Sequence, residues 1–227
     1  MGSKLVKRYI ELKLIVIIQA RTNSKRFNNK VLYKIYNKPI VWHVVSKIKK
    51  SKNVKKIIVA TSSNKTDDKL VKYLAKIKIN YYRGSLTNVA KRLCDAAEKN
   101  KAKFFMRISA DSPLIDPVII DKAIEIFKSQ KKHYDIVTNV FPRSYPKGQS
   151  VEIIKTSKLR YFLNKFNKEQ KEHVTKYFYK NYKNFIIKNF MSDKSKTKIK
   201  LAIDTKNDLK LILKKFKKKK FINFSLK

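Results

Sequence analysis

A single cysteine in 227 residues, Cys94, excludes an internal disulfide framework, and its setting in LCDAAE at 93–98 places it on the apolar side of a helix. A reducing cytoplasm fits this usage. Glycine is scarce, at three, and the loop after the first apolar run holds none, which excludes a Rossmann or P-loop phosphate motif there. Long apolar runs are missing too. LIVII at 14–18 is far too short to span a bilayer, and the charged stretch before it has no small-residue cleavage site, so we expect neither signal peptide nor anchor. What remains, 43% hydrophobic and 11% aromatic residues, is enough to bury a core in one domain and excludes a disordered tail protein.

Acidic residues are few, 16 against 57 Lys and Arg, for a formal charge of +41. Such a charge first raises nucleic-acid binding through phosphate neutralisation. Lysine carries nearly all of it, however, with only eight arginines (8, 21, 26, 83, 92, 107, 143 and 160). The joint excess of Lys, Asn, Ile, Phe and Tyr is what an AT-rich coding sequence gives, so we read drift of exposed positions toward lysine. Lysines are scattered along the chain, dense only at 214–220, a block read as a solvated helix end. The resulting positive field recruits anionic substrates in a salt-sensitive way.

Short apolar runs alternate with amphipathic stretches, which predicts an α/β fold with a mostly parallel central sheet flanked by helices. Strands are expected at 14–19, 56–61, 79–82, 104–108 and 135–139, and helices around 39–50, 67–76, 86–99 and 117–130. The second half predicts strands at 151–155, 185–189 and 198–203, helix over 156–182, and a last helix after Asp204. We expect one domain over 1–227, with a nucleotide-binding half at about 14–140 and an acceptor and dimerisation part at about 141–203.

Ligands of open α/β sheets bind beyond the carboxyl ends of the strands. The first such loop brings Arg21, Ser24, Arg26 and Lys30 together ahead of LysPro at 38–39, and guanidinium forks with a lysine charge suit a polyphosphate. The plain alternative is a solvated basic loop. Asp111 follows the 104–108 strand and Asp204 follows the 198–203 strand, two hard oxygen donors suited to a divalent cation. Their plain readings are a turn residue before Pro113 and a helix N-cap. For Arg107 the alternative is a structural pair with Asp116 or Asp121, for Arg92 an ion pair on a helix face, and for His173 a structural role on a helix. His43 and His133 lack metal-ligand spacing, so no zinc site is expected, and Trp42 reads as helix packing.

The run IIQARTNSKRFNNKVLYKIYNKPIVWHVV, from residue 17, resembles the opening of the cytidylyltransferases of the spore coat polysaccharide biosynthesis protein F type, relatives of the CMP-sugar-acid synthetases for acylneuraminate and KDO. The likeness continues through IIVATSSNKTDD at 57–68, YYRGSLTNVAKRL at 81–93, MRISADSPLIDP at 106–117, YPKGQSVEI at 145–153, EHVT at 172–175 and AIDTKNDL at 202–209. It implies a nucleotide-diphospho-sugar-transferase-like fold, CTP as donor, Mg2+ as cofactor, pyrophosphate as product and a homodimer. Residue by residue, it implies catalytic roles for Arg21, Lys30, Asp111 and Asp204, the two aspartates holding the metal. CTP would be bound by Ala20, Arg21, Ser24, Arg26, Lys30, Thr61, Ser62, Arg83, Gly84, Arg92, Arg107 and Ala110, with Gly84 permitting a tight turn. Tyr145, Gln149, Glu152, Glu172 and His173 fall on the acceptor side. The chain departs from the family pattern at Ala110, usually Gly, and at Ser150 and Asn88, usually Asp. The acceptor is a small anion: a sugar acid, a phosphosugar or a phosphonate. The competing expectations are a basic nucleic-acid-binding module and a metal-dependent glycosyltransferase, which would carry an Asp-x-Asp motif where this chain has AspSerPro at 111–113.

Overall fold

Alternation in the first strand sets the two layers of the core. The computed structural model describes residues 13–24, 26–129 and 134–217. In β1 (Leu14–Gln19), Val16 and Ile18 face one apolar cluster while Ile15 and Ile17 face another on the opposite side of the sheet. A strand buried on both faces is a continuous apolar run, which is why LIVII needs no polar residue. β1 pairs in parallel with β4 (Ile57–Ser62) and β6 (Phe104–Ser109), and β4 pairs in parallel with β5 (Tyr81–Gly84). The full order is β5-β4-β1-β6-β8-β7-β9, with β7 at Ile136–Thr138, β8 at Glu152–Lys155 and β9 at Ile187–Asn189. β8 runs antiparallel to both β6 and β7, and β7 is parallel to β9.

A hairpin of β2 (Lys34–Ile35) and β3 (Lys38–Pro39) turns through Tyr36 and Asn37, both at positive φ as a tight two-residue hairpin turn requires. Helices α1 (Ile40–Ile48), α2 (Asp68–Lys76) and α4 (Pro117–Lys128) contribute to one apolar cluster, and α3 (Val89–Lys99) and α5 (Thr156–Phe162) to the other. Cys94 is buried in α3, and that burial pushes its thiol pKa up to about 12, so it stays an inert thiol. Trp42 is half-buried on α1, with the Lys38 ammonium 5.6 Å from its ring centroid.

Two expected elements differ. The span 156–182 breaks after α5 into short pieces, α6 (Lys168–Glu172) and α7 (Lys176–Lys180), because Asn167 starts a new helix with a capping box to Gln170. The expected 198–203 strand joins no sheet. Its backbone pairs instead with a loop: Lys147 N–H donates to the Ile199 carbonyl at 3.2 Å, Leu201 N–H to the Lys147 carbonyl at 2.7 Å, and Ile203 N–H to the Asp111 carbonyl at 2.9 Å. The last helix, α8 (Lys206–Lys217), follows as expected. His133 and the lysine block beyond residue 217 lie outside the described residues. Among the described residues no helix is long and apolar enough to cross a membrane.

The contact between the 145–150 loop and the 199–203 segment depends on Gly148. Its φ is +97°, and a Cβ there would lie 2.6 Å from both Ala202 N and Leu201 C. Gly148→Ala must therefore part the two segments, at a cost of about 2–3 kcal/mol. We expect Tm to fall by several degrees in a calorimetric scan; a shift within about 1 °C would show that the backbone there yields freely.

Candidate active site

The carboxyl ends of β1, β4 and β6 open onto one crevice, where the loop 20–30 is held in shape by a carboxylate the motifs did not single out. Asp67, fully buried, accepts from the Thr22 N–H and Thr22 hydroxyl, each at 2.7 Å, from the Ser62 N–H at 3.0 Å and from the Ser62 hydroxyl. Burial alone pushes this carboxyl up, but the bonds from Ser62 and Thr22 hold it below the usual carboxylate range. Thr61, also buried, lies against the same carboxylate. Thr61 and Ser62 thus support the loop from beneath. A buried acid just ahead of a helix, closing on the loop after another strand, is a long-range pairing that TSSNKTDD shows only as a helix start.

A second anchor is apolar. Phe27 packs with Ile203, Leu209 and Ile212, tying the loop to the start of α8. With both anchors set, the cations of the loop meet acids from three other elements. Lys30 Nζ is 2.9 Å from Asp111 Oδ2, 3.0 Å from the Ile203 carbonyl and 3.7 Å from Asp204 Oδ1. Arg26 Nη2 lies 3.4 Å from Asp204 Oδ1 and Arg21 Nη2 2.7 Å from Glu172 Oε1. Ser24 sits in the same turn, its N–H on the Thr22 carbonyl. Ala20 and Ala110 are buried at the ends of β1 and β6, each N–H donated to a neighbouring strand, to Ala60 and Gln19.

The plain reading of Asp204 as a helix cap fails on geometry. Thr205 and Asp208 form the cap reciprocally, Asp208 N–H to Thr205 Oγ1 at 3.2 Å and Thr205 N–H to Asp208 Oδ2 at 2.9 Å. The Asp204 carboxylate is left to Lys30, Arg26 and Lys200. Asp111 keeps a bond from the Ser112 hydroxyl at 3.2 Å, yet its other oxygen faces Lys30. Two carboxylates from separate elements thus converge on one ammonium. Oxygen donors of this kind suit a hard divalent cation, and Lys30 provides the compensating charge between them in this arrangement.

Several expected nucleotide contacts serve the scaffold. Arg83 donates to the Ser62 and Asn64 carbonyls and pairs with Asp68, stitching β5 to the start of α2. Gly84 has no positive φ. It is required by close packing, since a Cβ would lie 2.9 Å from Tyr82 and 3.0 Å from Arg92 side-chain carbons. Arg92 is no surface ion-pair partner: it is fully buried beneath the 85–88 loop, with Nη1 on the Ser85 carbonyl at 2.7 Å and no partner for Nε or Nη2 among the described residues. Burial, helped by the Arg21 charge, pushes its pKa down to about 10.

Next to Asp111 lies a cleft of about 670 Å³, lined by Arg107, Arg143, Glu152, His173 and Tyr179 among others. Arg107, expected on the nucleotide, pairs with Glu152 and Gln19, and not with the Asp116 or Asp121 of the plain alternative. Glu152 is itself 2% exposed and also accepts from Thr175 and Tyr179, so it braces the cleft floor. Tyr145 and Gln149 stand behind the wall. The Tyr145 hydroxyl donates to the Met191 carbonyl, and both ends of the Gln149 amide are used, on Asp116 N–H and the Leu114 carbonyl. Glu172 and His173, at the end of α6, adjoin the cleft from the Arg21 side.

The chain matches known proteins along almost its whole length. Residues 15–224 match the family described as cytidylyltransferase. An uncharacterized protein of Methanocaldococcus jannaschii is 34% identical over 222 residues, 95% of this chain and 88% of that one. Spore coat polysaccharide biosynthesis protein SpsF of Bacillus subtilis is 27% identical over 208 residues, 88% and 84% of the two chains. A solved cytidylyltransferase of Leptospira borgpetersenii superposes with a TM-score of 0.85 at 25% identity, over 95% of this chain and 99% of that one. The chain belongs to the cytidylyltransferase family.

Proposed function

We propose that this cytidylyltransferase transfers CMP from CTP to an oxygen of a small anionic acceptor (a sugar acid, a phosphosugar or a phosphonate), releasing pyrophosphate. The observation that carries the reading is the convergence of Lys30 on Asp111 and Asp204 beside a cation-rich cleft. Arg21, Arg26 and Lys30 take the triphosphate and offset the charge of the departing pyrophosphate. Asp111 and Asp204 would hold Mg2+, which when bound supplies electrophilic stabilisation at the phosphates. With the acceptor in the cleft that Asp111 lines, the residues would act by positioning and charge neutralisation. The likeness to SpsF supports a product destined for surface polysaccharide synthesis, and we assign the reaction to the cytoplasm.

The test is pyrophosphate release with Mg2+ and each of CTP, ATP, GTP and UTP over pooled sugar acids, phosphosugars and phosphonates. Release confined to CTP supports the reading. Equal use of all four nucleotides, or no release together with no thermal stabilisation by CTP, overturns it. The dimer implied by resemblance is a separate proposal; a light-scattering mass of 26.8 kDa would refute it.

Triphosphate binding must separate Arg21 from Glu172. Glu172→Gln removes that competition, so CTP should bind roughly threefold to fivefold more tightly by calorimetry, the scale of a partly exposed ion pair. Weaker binding would show that Glu172 positions Arg21 for the phosphate.

A further inference from the structure

The cleft beside Asp111 distributes its charges unevenly. Its carboxylates are committed, Asp111 to Lys30 and Glu152 to Arg107, Thr175 and Tyr179. Two of its cations are likewise paired, Arg107 with Glu152 and Lys176 with Glu169. Arg143 is different. Its side-chain hydrogen bond among the described residues runs from Nη1 to the Ser150 hydroxyl at 3.0 Å, a neutral partner. The guanidinium is half-buried, and burial lowers its pKa against the opposing pull of Glu152. Lys147 and Lys180 also line the cleft and form no ion pair among the described residues. One wall is apolar: the rings of Phe141 and Tyr179 stack 4.7 Å apart with 8° between their planes.

A partly desolvated guanidinium without a carboxylate is costly unless a ligand supplies the counter-charge, and its planar fork matches carboxylate or phosphate oxygens. We propose that Arg143 seats an anionic group of the acceptor, a carboxylate or a phosphate, at a distance from the attacking oxygen, and that neutral Ser150 keeps Arg143 available for it. The inference rests on the cytidylyltransferase reading for the identity of the acceptor cleft. Ser150 matters because an aspartate in its place would pair with Arg143 and fill the cleft's anion position from within. Phe141 and Tyr179 would then face the carbon skeleton, while Lys147 and Lys180 draw the anion in.

The test is calorimetric titration of the nucleotide-free protein with gluconate, glucose 6-phosphate and glucose at about 0.15 M salt, where non-specific attraction to the lysine surface is screened. The proteins are wild type, Arg143→Gln, Arg143→Lys and Ser150→Asp, with thermal stabilisation by CTP measured on each. Wild type should bind gluconate or glucose 6-phosphate at least about tenfold more tightly than glucose. Binding of gluconate alone identifies a carboxylate, and of glucose 6-phosphate alone a phosphate. Arg143→Gln and Ser150→Asp should each lose that preference and Arg143→Lys should keep part of it, with CTP stabilisation equal throughout. The proposal is overturned if Arg143→Gln and Ser150→Asp bind the anions as wild type does, if glucose binds wild type as tightly, or if neither anion binds. Failure of CTP to stabilise wild type, with anion binding still dependent on Arg143, would instead remove the transferase reading and leave the anion site standing.

Discussion

Asp111→Asn should lower kcat/KM for CMP transfer by about 10³ while leaving the fold intact. The fold survives because Lys30 keeps its bond to the Ile203 carbonyl at 3.0 Å and its approach to Asp204 at 3.7 Å, and because the Asp111 carbonyl still accepts from Ile203 N–H. What is lost is one of two negative charges at the end of β6 and the start of α8, and with it the oxygen pair assigned to Mg2+. Asp204→Asn should behave similarly, since Thr205 and Asp208 go on capping α8 without it. The two aspartates act as a unit, so the double variant should be little worse than either single one. Pyrophosphate release at several Mg2+ concentrations reads the effect. Activity within about tenfold of wild type in both single variants would sink the metal assignment.

The sequence made the sheet legible because its strands are apolar runs closed by polar loops, and β1, β4 and β6 end within a residue of their expected positions. The 198–203 segment has a strand-like pattern, but Ile203 and Leu201 face the small cluster with Phe27 and α8. Periodicity shows that such a segment is half-buried and cannot show what its backbone pairs with. The same limit separates the site residues that met from those that did not. Arg21, Arg26 and Lys30 follow β1 and Asp111 follows β6, where sheet topology brings them near one another, while Asp204 joins them through the 199–203 segment, whose Ile203 N–H bonds the Asp111 carbonyl. Arg92, Gln149 and Glu152 sit within motifs yet are buried, the latter two in hydrogen-bond networks, and a motif does not tell a residue facing the ligand from one bracing the wall. Asp67 was missed for the opposite reason: its partners belong to two different strand ends, Thr22 in the loop after β1 and Ser62 as the last residue of β4.

Glu152 shows how strong such bracing is. Its carboxylate is 2% exposed at the start of β8, opposite Arg107 of β6 in the antiparallel register, and it accepts from Arg107, from Thr175 at 2.7 Å and from Tyr179 at 2.6 Å. Burial alone pushes its pKa up, but the Arg107 charge and the hydrogen bonds from Tyr179, Thr175 and Arg107 outweigh it and hold the carboxyl below its ordinary value of 4.5. Glu152→Gln keeps the shape, removes the charge opposite Arg107 and forces an amide among donors. The expected loss is roughly 3–5 kcal/mol, as for other buried pairs broken on one side, which is on the order of 10 °C in Tm for a domain of this size. Because the folded-state pKa is depressed, this contribution is complete above the unfolded value near 4.5 and is lost as pH falls from there through the folded-state value. The gap in Tm between wild type and Glu152→Gln should therefore be widest near neutrality and narrow progressively below about pH 4.5. Parallel calorimetric scans of the two proteins between about pH 7 and pH 3 measure it. A gap that stays constant with pH would mean that the carboxylate's charge contributes nothing to the fold. A negligible gap at pH 7 would free Glu152 from the structural role and return it to the acceptor side of the cleft.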